Sequence, residues 1–195
     1  MKSAVFIDRD GTLNEEVHYL SRPDQLRLIS GAAQAIVEIN RAGLLAVVIT
    51  NQAGVARGLI PEDQLPRIQQ AFTEMLGREG ARIDGYYQCP HHPDGSIARY
   101  RRTCTCRKPQ PGLLLQAAQE LDIDLKKSCV VGDKASDIQL GHNVGATTFM
   151  VMTGYGRDHH NNYPPDCRPP HYTCSDILEA AQLIIQREKD VKREA

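Results

Sequence analysis

The chain has 195 residues, a length typical of one domain with its own hydrophobic core. Its 23 lysines and arginines nearly balance 24 aspartates and glutamates, so no general attraction to nucleic acid or to anionic membranes is expected. The longest apolar run, residues 42–49, is far too short to cross a bilayer. We therefore expect a single cytoplasmic domain over residues 1–195, with no membrane or nucleic-acid partner.

Three short apolar runs, each followed at once by a polar residue, predict strands: 4–7 before Asp8, 46–49 before Thr50, and 129–132 before Asp133. Continuous apolar runs of this kind are typical of buried parallel strands. Apolar residues at three-and-four spacing predict helices between and after them: about 29–42, 61–80, 112–121, 137–145 and 176–190. The alternation predicts an α/β fold with a doubly wound, mostly parallel sheet. Two stretches, 88–111 and 154–170, lack a regular pattern.

The polar residues that close these strands are where chemistry is expected, because ligands bind at the carboxyl ends of parallel strands. Asp8 and Asp10 follow the first strand, and Asp133 follows a later one. Three carboxylates in a partly dry pocket repel one another unless a cation lies between them. Mg²⁺ prefers oxygen ligands and commonly bridges to a phosphate group. The sequence therefore predicts a site for Mg²⁺ and a phosphoryl group.

Two neighbouring carboxylates can also divide the work of phosphoryl transfer. One can attack phosphorus and form an aspartyl-phosphate, while the other donates a proton to the leaving oxygen and later activates water. Lys108 adds a positive charge, and Thr50 adds a hydroxyl group with backbone donors from the turn that follows it. These are the parts that phosphoryl transfer requires.

Four motifs in this order resemble those of the haloacid dehalogenase superfamily of phosphohydrolases: the DxDGT segment at 8–12, the Thr50-Asn51 pair, Lys108 before a proline, and the GDxxxD segment at 132–137. The resemblance implies that Asp8 is the nucleophile and Asp10 the general acid and base. It implies that Mg²⁺ is held by Asp8, Asp133 and the carbonyl of Asp10, and that Thr50 and Lys108 bind the transferring group.

In the same superfamily pattern, Asp137 would orient Lys134 or Lys108. The alternative for Asp137 is a carboxylate that only favours the start of a helix through the helix dipole. The alternative for Asp8 and Asp10 is a capped turn with solvated acids. About forty residues separate Asp8 from Thr50, which leaves no room for a large cap between them.

A loop over about residues 88–110 carries a second candidate metal site, made of Cys89, His91, Cys104 and Cys106. Three thiols and one imidazole are a closed, tetrahedral ligand set for structural Zn²⁺. The loop has few apolar residues, so a metal would be needed to order it. His92 is a rival ligand to His91, and free buried thiols or a catalytic zinc are the alternatives for the whole set.

The segments CPHH, CxCRKP, TNQAGVARG and GDK resemble the zinc-loop branch of the superfamily, which contains heptose bisphosphate phosphatases and histidinol-phosphate phosphatases. The resemblance implies removal of the 7-phosphate from D-glycero-D-manno-heptose 1,7-bisphosphate, in the synthesis of ADP-heptose for lipopolysaccharide. Histidinol phosphate, from histidine biosynthesis, is the alternative substrate. If the substrate is the heptose bisphosphate, the residues expected to contact it are Glu16, Val17, His18, Tyr19, Asn51, Gln52, Arg57, Arg107 and Lys134.

Two further functions compete with this interpretation. The Arg99-Tyr100-Arg101-Arg102 segment could grip a nucleic-acid strand, as in a polynucleotide 3′-phosphatase, but the balanced overall charge disfavours it. A phosphate-binding protein without activity is disfavoured because each catalytic position holds a competent residue type. We expect a monomer whose partner is a small sugar bisphosphate.

Overall fold

The computed structural model describes residues 1–194. The strands are β1 (Ala4–Ile7), β2 (Leu45–Asn51), β3 (Gly85–Cys89), β4 (Cys129–Gly132), β5 (Thr147–Val151) and β6 (Tyr172–Cys174). The helices are α1 (Ala32–Arg41), α2 (Ala53–Ala56), α3 (Gln64–Arg78), α4 (Gly112–Leu121), α5 (Ala135–Val144), α6 (Gly156–Asn161) and α7 (Ile177–Glu194). Two short 3₁₀ segments cover Pro23–Gln25 and Leu125–Lys127.

All six strands form one parallel sheet in the order β3-β2-β1-β4-β5-β6. This is the classic doubly wound order, in which the chain reverses direction across the sheet between β1 and β4. The predicted fold class is confirmed. Every residue of β1 and β4 is buried, as their continuous apolar sequences predicted.

Alternate residues of the strands face two separate hydrophobic clusters, one on each side of the sheet. Val5 and Ile7 of β1 belong to the cluster that packs against α1, α3 and α7. Ala4 and Phe6 belong to the opposite cluster, which α4 and α5 cover. The sheet is therefore apolar on both faces, and its polar groups are concentrated at the strand ends.

The sequence patterns missed three strands and two short helices. β3 is half-exposed, β5 begins with two threonines and β6 has only three residues, so none of them has the long apolar run of β2. The stretch 154–170 was predicted to be irregular, but it contains α6. Helix α1 begins at Ala32, three residues later than predicted, because Gly31 has a positive φ of 81°.

The carboxyl ends of β1, β2 and β4 meet at one edge of the sheet, where the strand order reverses. Between β1 and β2 the described chain contains only the first 3₁₀ segment and α1, so no large cap is inserted there. Gly11 and Gly154 bring two loops into backbone contact at this edge, and a Cβ atom on either glycine would collide with Asp133.

None of the helices formed by residues 1–194 is long and apolar enough to span a membrane.

The first prediction compares two neighbouring leucines of α4. Leu114 is fully buried and Leu115 is 53% exposed. Leu114→Ala should lower the free energy of unfolding by about 2–5 kcal/mol, because it removes packed side-chain volume and leaves a cavity. Leu115→Ala should change it by less than about 0.5 kcal/mol. Denaturant unfolding of both variants tests this, and equal effects would contradict the packing described for this face.

Candidate active site

Lys108 lies between two carboxylates at the edge of the sheet. Its Nζ atom is 2.8 Å from Oδ1 of Asp8 and 2.7 Å from Oδ1 of Asp137, and it donates a 3.1 Å hydrogen bond to the Ile49 carbonyl. All three charged side chains are buried. Burial alone would lower the pKa of Lys108, but the charges of Asp137 and Asp8 raise it above its usual value. Lys108 is therefore held as a cation.

Asp137 has both of the roles considered for it from the sequence: it stabilises the start of a helix and it pairs with a lysine. Its Oδ2 atom accepts a 3.1 Å hydrogen bond from the backbone N–H of Lys134, the residue before α5, so it caps that helix. Its other oxygen pairs with Lys108. Of the two lysines that Asp137 could orient, its side chain contacts the ammonium group of Lys108.

Asp133 is the carboxylate without a matching cation. Its Oδ2 atom accepts a hydrogen bond of 2.9 Å from the backbone N–H of Tyr155, but its buried Oδ1 atom has no hydrogen-bond partner among the described residues. Lys134 is 3.9 Å away and is shared with Glu16. Burial, together with the nearby charge of Asp8, raises the pKa of Asp133 to about 8.

A divalent cation fits this arrangement. Oxygen atoms of Asp8, Asp133 and Asp137 lie within 4.8 Å of one another. Both oxygens of Asp137 have partners, Lys108 and the backbone N–H of Lys134, whereas Asp8 has partners at Oδ1 only. Asp8 and the unpartnered oxygen of Asp133 are therefore the better ligands. Carboxylate oxygens are the ligands that Mg²⁺ prefers.

Asp10 is held by a buried arginine and two amide side chains, and not by Lys108. Arg9, which is fully buried, contacts both oxygens of Asp10 at 2.7–3.0 Å and donates a further hydrogen bond to the Tyr86 hydroxyl. Asn14 and Gln52 donate one hydrogen bond each to Asp10. Burial opposes ionisation of Asp10, but Arg9 and these donors lower its pKa below the usual value. The sequence analysis missed Arg9, although its position between the two aspartates was a signal.

The β2 end supplies three polar residues with different partners. The Thr50 hydroxyl accepts a 2.8 Å hydrogen bond from Gln52. The Asn51 side chain forms two hydrogen bonds with the backbone of Lys108. Its amide nitrogen donates to the carbonyl at 3.3 Å, and its oxygen accepts from the N–H at 3.1 Å. Thr50, Asn51 and Gln52 all line the cavity described next. Asn51 therefore fixes the segment that carries the buried lysine.

A cavity of about 330 Å³ opens beside these carboxylates. Most of the predicted substrate contacts line it, together with the phosphoryl-site residues: Asp8, Asp10, Glu16, His18, Tyr19, Thr50, Asn51, Gln52, Arg57, Arg107, Lys108 and Lys134. Val17 is the exception, because it is exposed and does not line the cavity. Lys134 pairs with Glu16 at 3.2 Å, and Arg57 donates a 2.5 Å hydrogen bond to the Tyr19 hydroxyl.

Tyr155 also lines the cavity and was missed by the sequence analysis. It follows β5, a strand that the patterns did not predict, and it lies at the start of the stretch predicted to be irregular. The rule that points to strand ends would have found it if β5 had been recognised.

Cys89, His91, Cys104 and Cys106 form the second cluster, with their ligand atoms within 4.8 Å of one another. The sulfur of Cys106 is 3.1 Å from that of Cys89, 3.2 Å from that of Cys104 and 3.3 Å from Nδ1 of His91. His92 is directed elsewhere, toward Arg57 and Asp94. Three thiols and one imidazole gathered in this way are a ligand set typical of a tetrahedral zinc ion.

Comparisons with known proteins agree with this geometry. A HAD-hydrolase-like family model matches residues 105–180, which include Lys108, Asp133 and Asp137. The D-glycero-beta-D-manno-heptose-1,7-bisphosphate 7-phosphatase of Yersinia pestis is 45% identical over 153 residues, covering 77% of this chain and 81% of that protein. The protein of the same name from Escherichia coli K12 is 42% identical, covering 77% and 80%.

The chain belongs to the D-glycero-beta-D-manno-heptose-1,7-bisphosphate 7-phosphatase family, within the haloacid dehalogenase superfamily.

Solved structures of family members have the same fold. The D,D-heptose 1,7-bisphosphate phosphatase of B. bronchiseptica, crystallised with magnesium and phosphate, superposes with a TM-score of 0.84 at 31% identity, covering 96% of this chain and 99% of that one. The enzyme of Burkholderia thailandensis superposes with a TM-score of 0.70 at 26% identity, covering 94% and 99%. The predicted superfamily membership is confirmed.

The second prediction concerns how the stability of this heptose bisphosphate phosphatase family member depends on pH when no metal is bound. The pKa of Asp133 is raised by burial from an ordinary 3.8 to about 8, so the folded chain retains a proton that the unfolded chain releases. The free energy of unfolding should therefore fall as pH rises from 5 to 8. Thermal melts in EDTA across this range measure the effect, and added Mg²⁺ should stabilise the protein most at the higher pH.

Asp133→Asn is the control for this experiment, because it keeps the size of the side chain and removes the titrating group. Its melting curve should depend less on pH than that of the original chain, and histidine titration is common to both. Parallel pH profiles for the two proteins would contradict the prediction.

The third prediction concerns the cysteine cluster. The purified protein should contain about one zinc ion per chain, and Cys106→Ser should lose most of it and melt at a lower temperature, because metal binding contributes to folding. Cys167→Ser is the matched control, since Cys167 is partly buried and lies outside the cluster. Elemental analysis with thermal melts measures both effects, and unchanged zinc content in Cys106→Ser would contradict the assignment.

Proposed function

We propose that this chain removes the 7-phosphate from D-glycero-β-D-manno-heptose 1,7-bisphosphate through an aspartyl-phosphate intermediate. The observation that carries the proposal is the buried Asp8–Lys108–Asp137 arrangement beside a cavity lined by further cations, in a chain 41–45% identical to proteins named for this reaction. The β configuration follows the names of those relatives.

Asp8 is the proposed nucleophile. Its Oδ1 atom contacts Lys108 and the backbone N–H of Arg9, which leaves Oδ2 to attack phosphorus. The bond from phosphorus to the sugar oxygen then breaks, and the phosphoryl group is transferred to Asp8. Lys108 and the Thr50 hydroxyl would neutralise and position the transferring oxygens. Water attacks the aspartyl-phosphate in the second step and releases inorganic phosphate.

Asp10 is the proposed general acid and base. In the arrangement described, its lowered pKa makes it an ionised carboxylate held by Arg9, Asn14 and Gln52. A phosphate dianion bound beside it would raise that pKa by like-charge repulsion, and Asp10 could then carry the proton that the sugar oxygen needs. The same carboxylate would take a proton from the attacking water in the second step.

Magnesium would be held by Asp8, Asp133 and the backbone carbonyl of Asp10. When bound, it would neutralise the repulsion between the carboxylates and the phosphoryl oxygens and help to orient them. The unpartnered buried oxygen of Asp133 supports this assignment.

The number of cations that line the cavity supports a bisphosphate substrate. Arg57, Arg107 and Lys134 line it in addition to Lys108, and Glu16 is the acid that pairs with Lys134. Guanidinium groups bind phosphate through two parallel hydrogen bonds, so the two arginines suit the phosphate that is not transferred. Histidinol phosphate would place a positive amine among these cations, which disfavours it as the substrate.

Zinc in the cysteine cluster is part of the same proposal. It would have a structural role, because four protein ligands leave no open coordination position. Arg107 donates a 3.4 Å hydrogen bond to the His91 carbonyl, so an ordered cluster would position this arginine at the cavity.

We propose a cytoplasmic monomer, folded as a single domain, that acts in lipopolysaccharide precursor synthesis.

The fourth prediction is a phosphate-release panel with both anomers of heptose 1,7-bisphosphate, histidinol phosphate and p-nitrophenyl phosphate. The β-heptose compound should have the highest kcat/KM, by at least about a hundredfold over histidinol phosphate. Activity should vanish in EDTA and return with Mg²⁺, and Asp8→Asn should remove it for every substrate. Equal or faster turnover of histidinol phosphate would reverse the substrate assignment, and activity retained by Asp8→Asn would contradict the mechanism.

A further inference from the structure

Tyr155 lies on a turn that is fixed to the phosphoryl-transfer site by backbone contacts. Its N–H donates a 2.9 Å hydrogen bond to Oδ2 of Asp133, and the hydroxyl of nearby Thr153 donates a 2.6 Å bond to the Gly11 carbonyl. The backbone of Gly154 packs directly against that of Gly11. The backbone of Tyr155 is therefore held against Asp133 and against the loop after β1.

The side chain of Tyr155 contacts residues at the other side of the cavity. Its hydroxyl is 2.7 Å from Nδ1 of His18, and the ammonium group of Lys134 lies 4.9 Å from the centre of its ring. Both Tyr155 and His18 line the cavity. They connect the turn after β5 with the loop after β1, two segments that are 137 residues apart in the chain.

His18 has an unfavourable backbone conformation at the point where it contacts Tyr155. Its φ is +63°, and among the described residues only Asp122 is another non-glycine residue with positive φ. A residue with a Cβ atom in the left-handed region costs about 1–2 kcal/mol, and such a cost persists where surrounding contacts require it. Here two contacts accompany the strained conformation: the hydrogen bond to Tyr155, and a 2.8 Å hydrogen bond from the Tyr19 N–H to the Val17 carbonyl that closes the turn.

We propose that Tyr155 and His18 form a wall of the cavity that contacts the sugar and determines which organic group the enzyme accepts. When the Tyr155 hydroxyl donates to Nδ1, the hydrogen of the neutral imidazole is on Nε2, where it can donate to a sugar hydroxyl group. The carbon atoms of the two rings provide apolar surface for the carbon skeleton. The identity of the sugar rests on the proposed function.

Among the described residues, neither side chain forms a hydrogen bond or an ion pair with Asp8 or Lys108. The pair should therefore act on the organic part of the substrate more than on the phosphoryl group. The ratio of kcat/KM for β-heptose 1,7-bisphosphate to kcat/KM for p-nitrophenyl phosphate measures this difference. A role in folding alone would change both rate constants together and leave the ratio constant.

The test uses His18→Gly, because glycine adopts a φ of +63° without strain and the variant should fold at least as well as the original chain. The ratio should fall about tenfold through a higher KM for the sugar bisphosphate, as expected for loss of one hydrogen bond and its packing. Tyr155→Phe, which removes only the hydroxyl, should shift the ratio in the same direction by a smaller factor. Tyr155→Ala keeps the backbone bond to Asp133 and should shift it by a larger one.

Asp122→Gly is the matched control, because it makes the same type of backbone change at the end of α4, outside the cavity lining. It should leave the ratio unchanged. An unchanged or increased ratio in His18→Gly and Tyr155→Ala would overturn the proposal. If the original chain does not cleave heptose bisphosphate, the proposed function fails first, and the same ratio is measured with the sugar phosphate that it cleaves fastest.

Discussion

The ion pairs of Lys108 with Asp8 and Asp137 are the interaction on which the rest of the site depends. The three charges come from the β1 end, the loop before α4 and the first turn of α5, and all are buried. Removing one partner from such a set leaves an uncompensated buried charge, which costs several kcal/mol. Asn51 binds the backbone of Lys108 twice, so the β2 end is joined to the same arrangement. The lysine thus fixes Asp8 relative to three other segments of the fold.

In the rest of the site, one carboxylate has no close cation to pair with. Arg9 pairs with Asp10, and Lys134 pairs with Glu16. Asp133 has only a distant share of Lys134 and one unpartnered oxygen. The site therefore has an excess of negative charge next to Asp8, while Arg57 and Arg107 add positive charge to the cavity lining. A divalent cation would offset the first, and the two arginines suit an anionic group of a substrate.

The sequence was sufficient for the fold class and for the cysteine cluster, and it identified most of the residues that the structure brings to the cavity. Short-range spacing carries this information, because Asp8 and Asp10, or Cys104 and Cys106, are brought together by a single turn. It was insufficient for partner choice. The packing of separate strands and helices decides which side chains pair. It brings Arg9 to Asp10 and Tyr86, and it brings Asp137 to Lys108 and not to the ammonium of Lys134. Tyr155 was missed because β5 and the turn after it have no regular apolar pattern.

The two ends of the cavity are built in different ways, and this has a consequence for specificity. The part of the cavity proposed to bind the phosphoryl group is formed at strand ends, which a buried sheet holds rigidly. The part proposed to bind the sugar is formed by loops around His18, Arg107 and Tyr155. Loops on a rigid scaffold can change without disturbing it. Tyr155 is the point where the two ends meet, and its link to Asp133 is made by the backbone N–H. A different side chain at this position would alter the wall proposed to face the sugar and still leave the hydrogen bond to Asp133 in place.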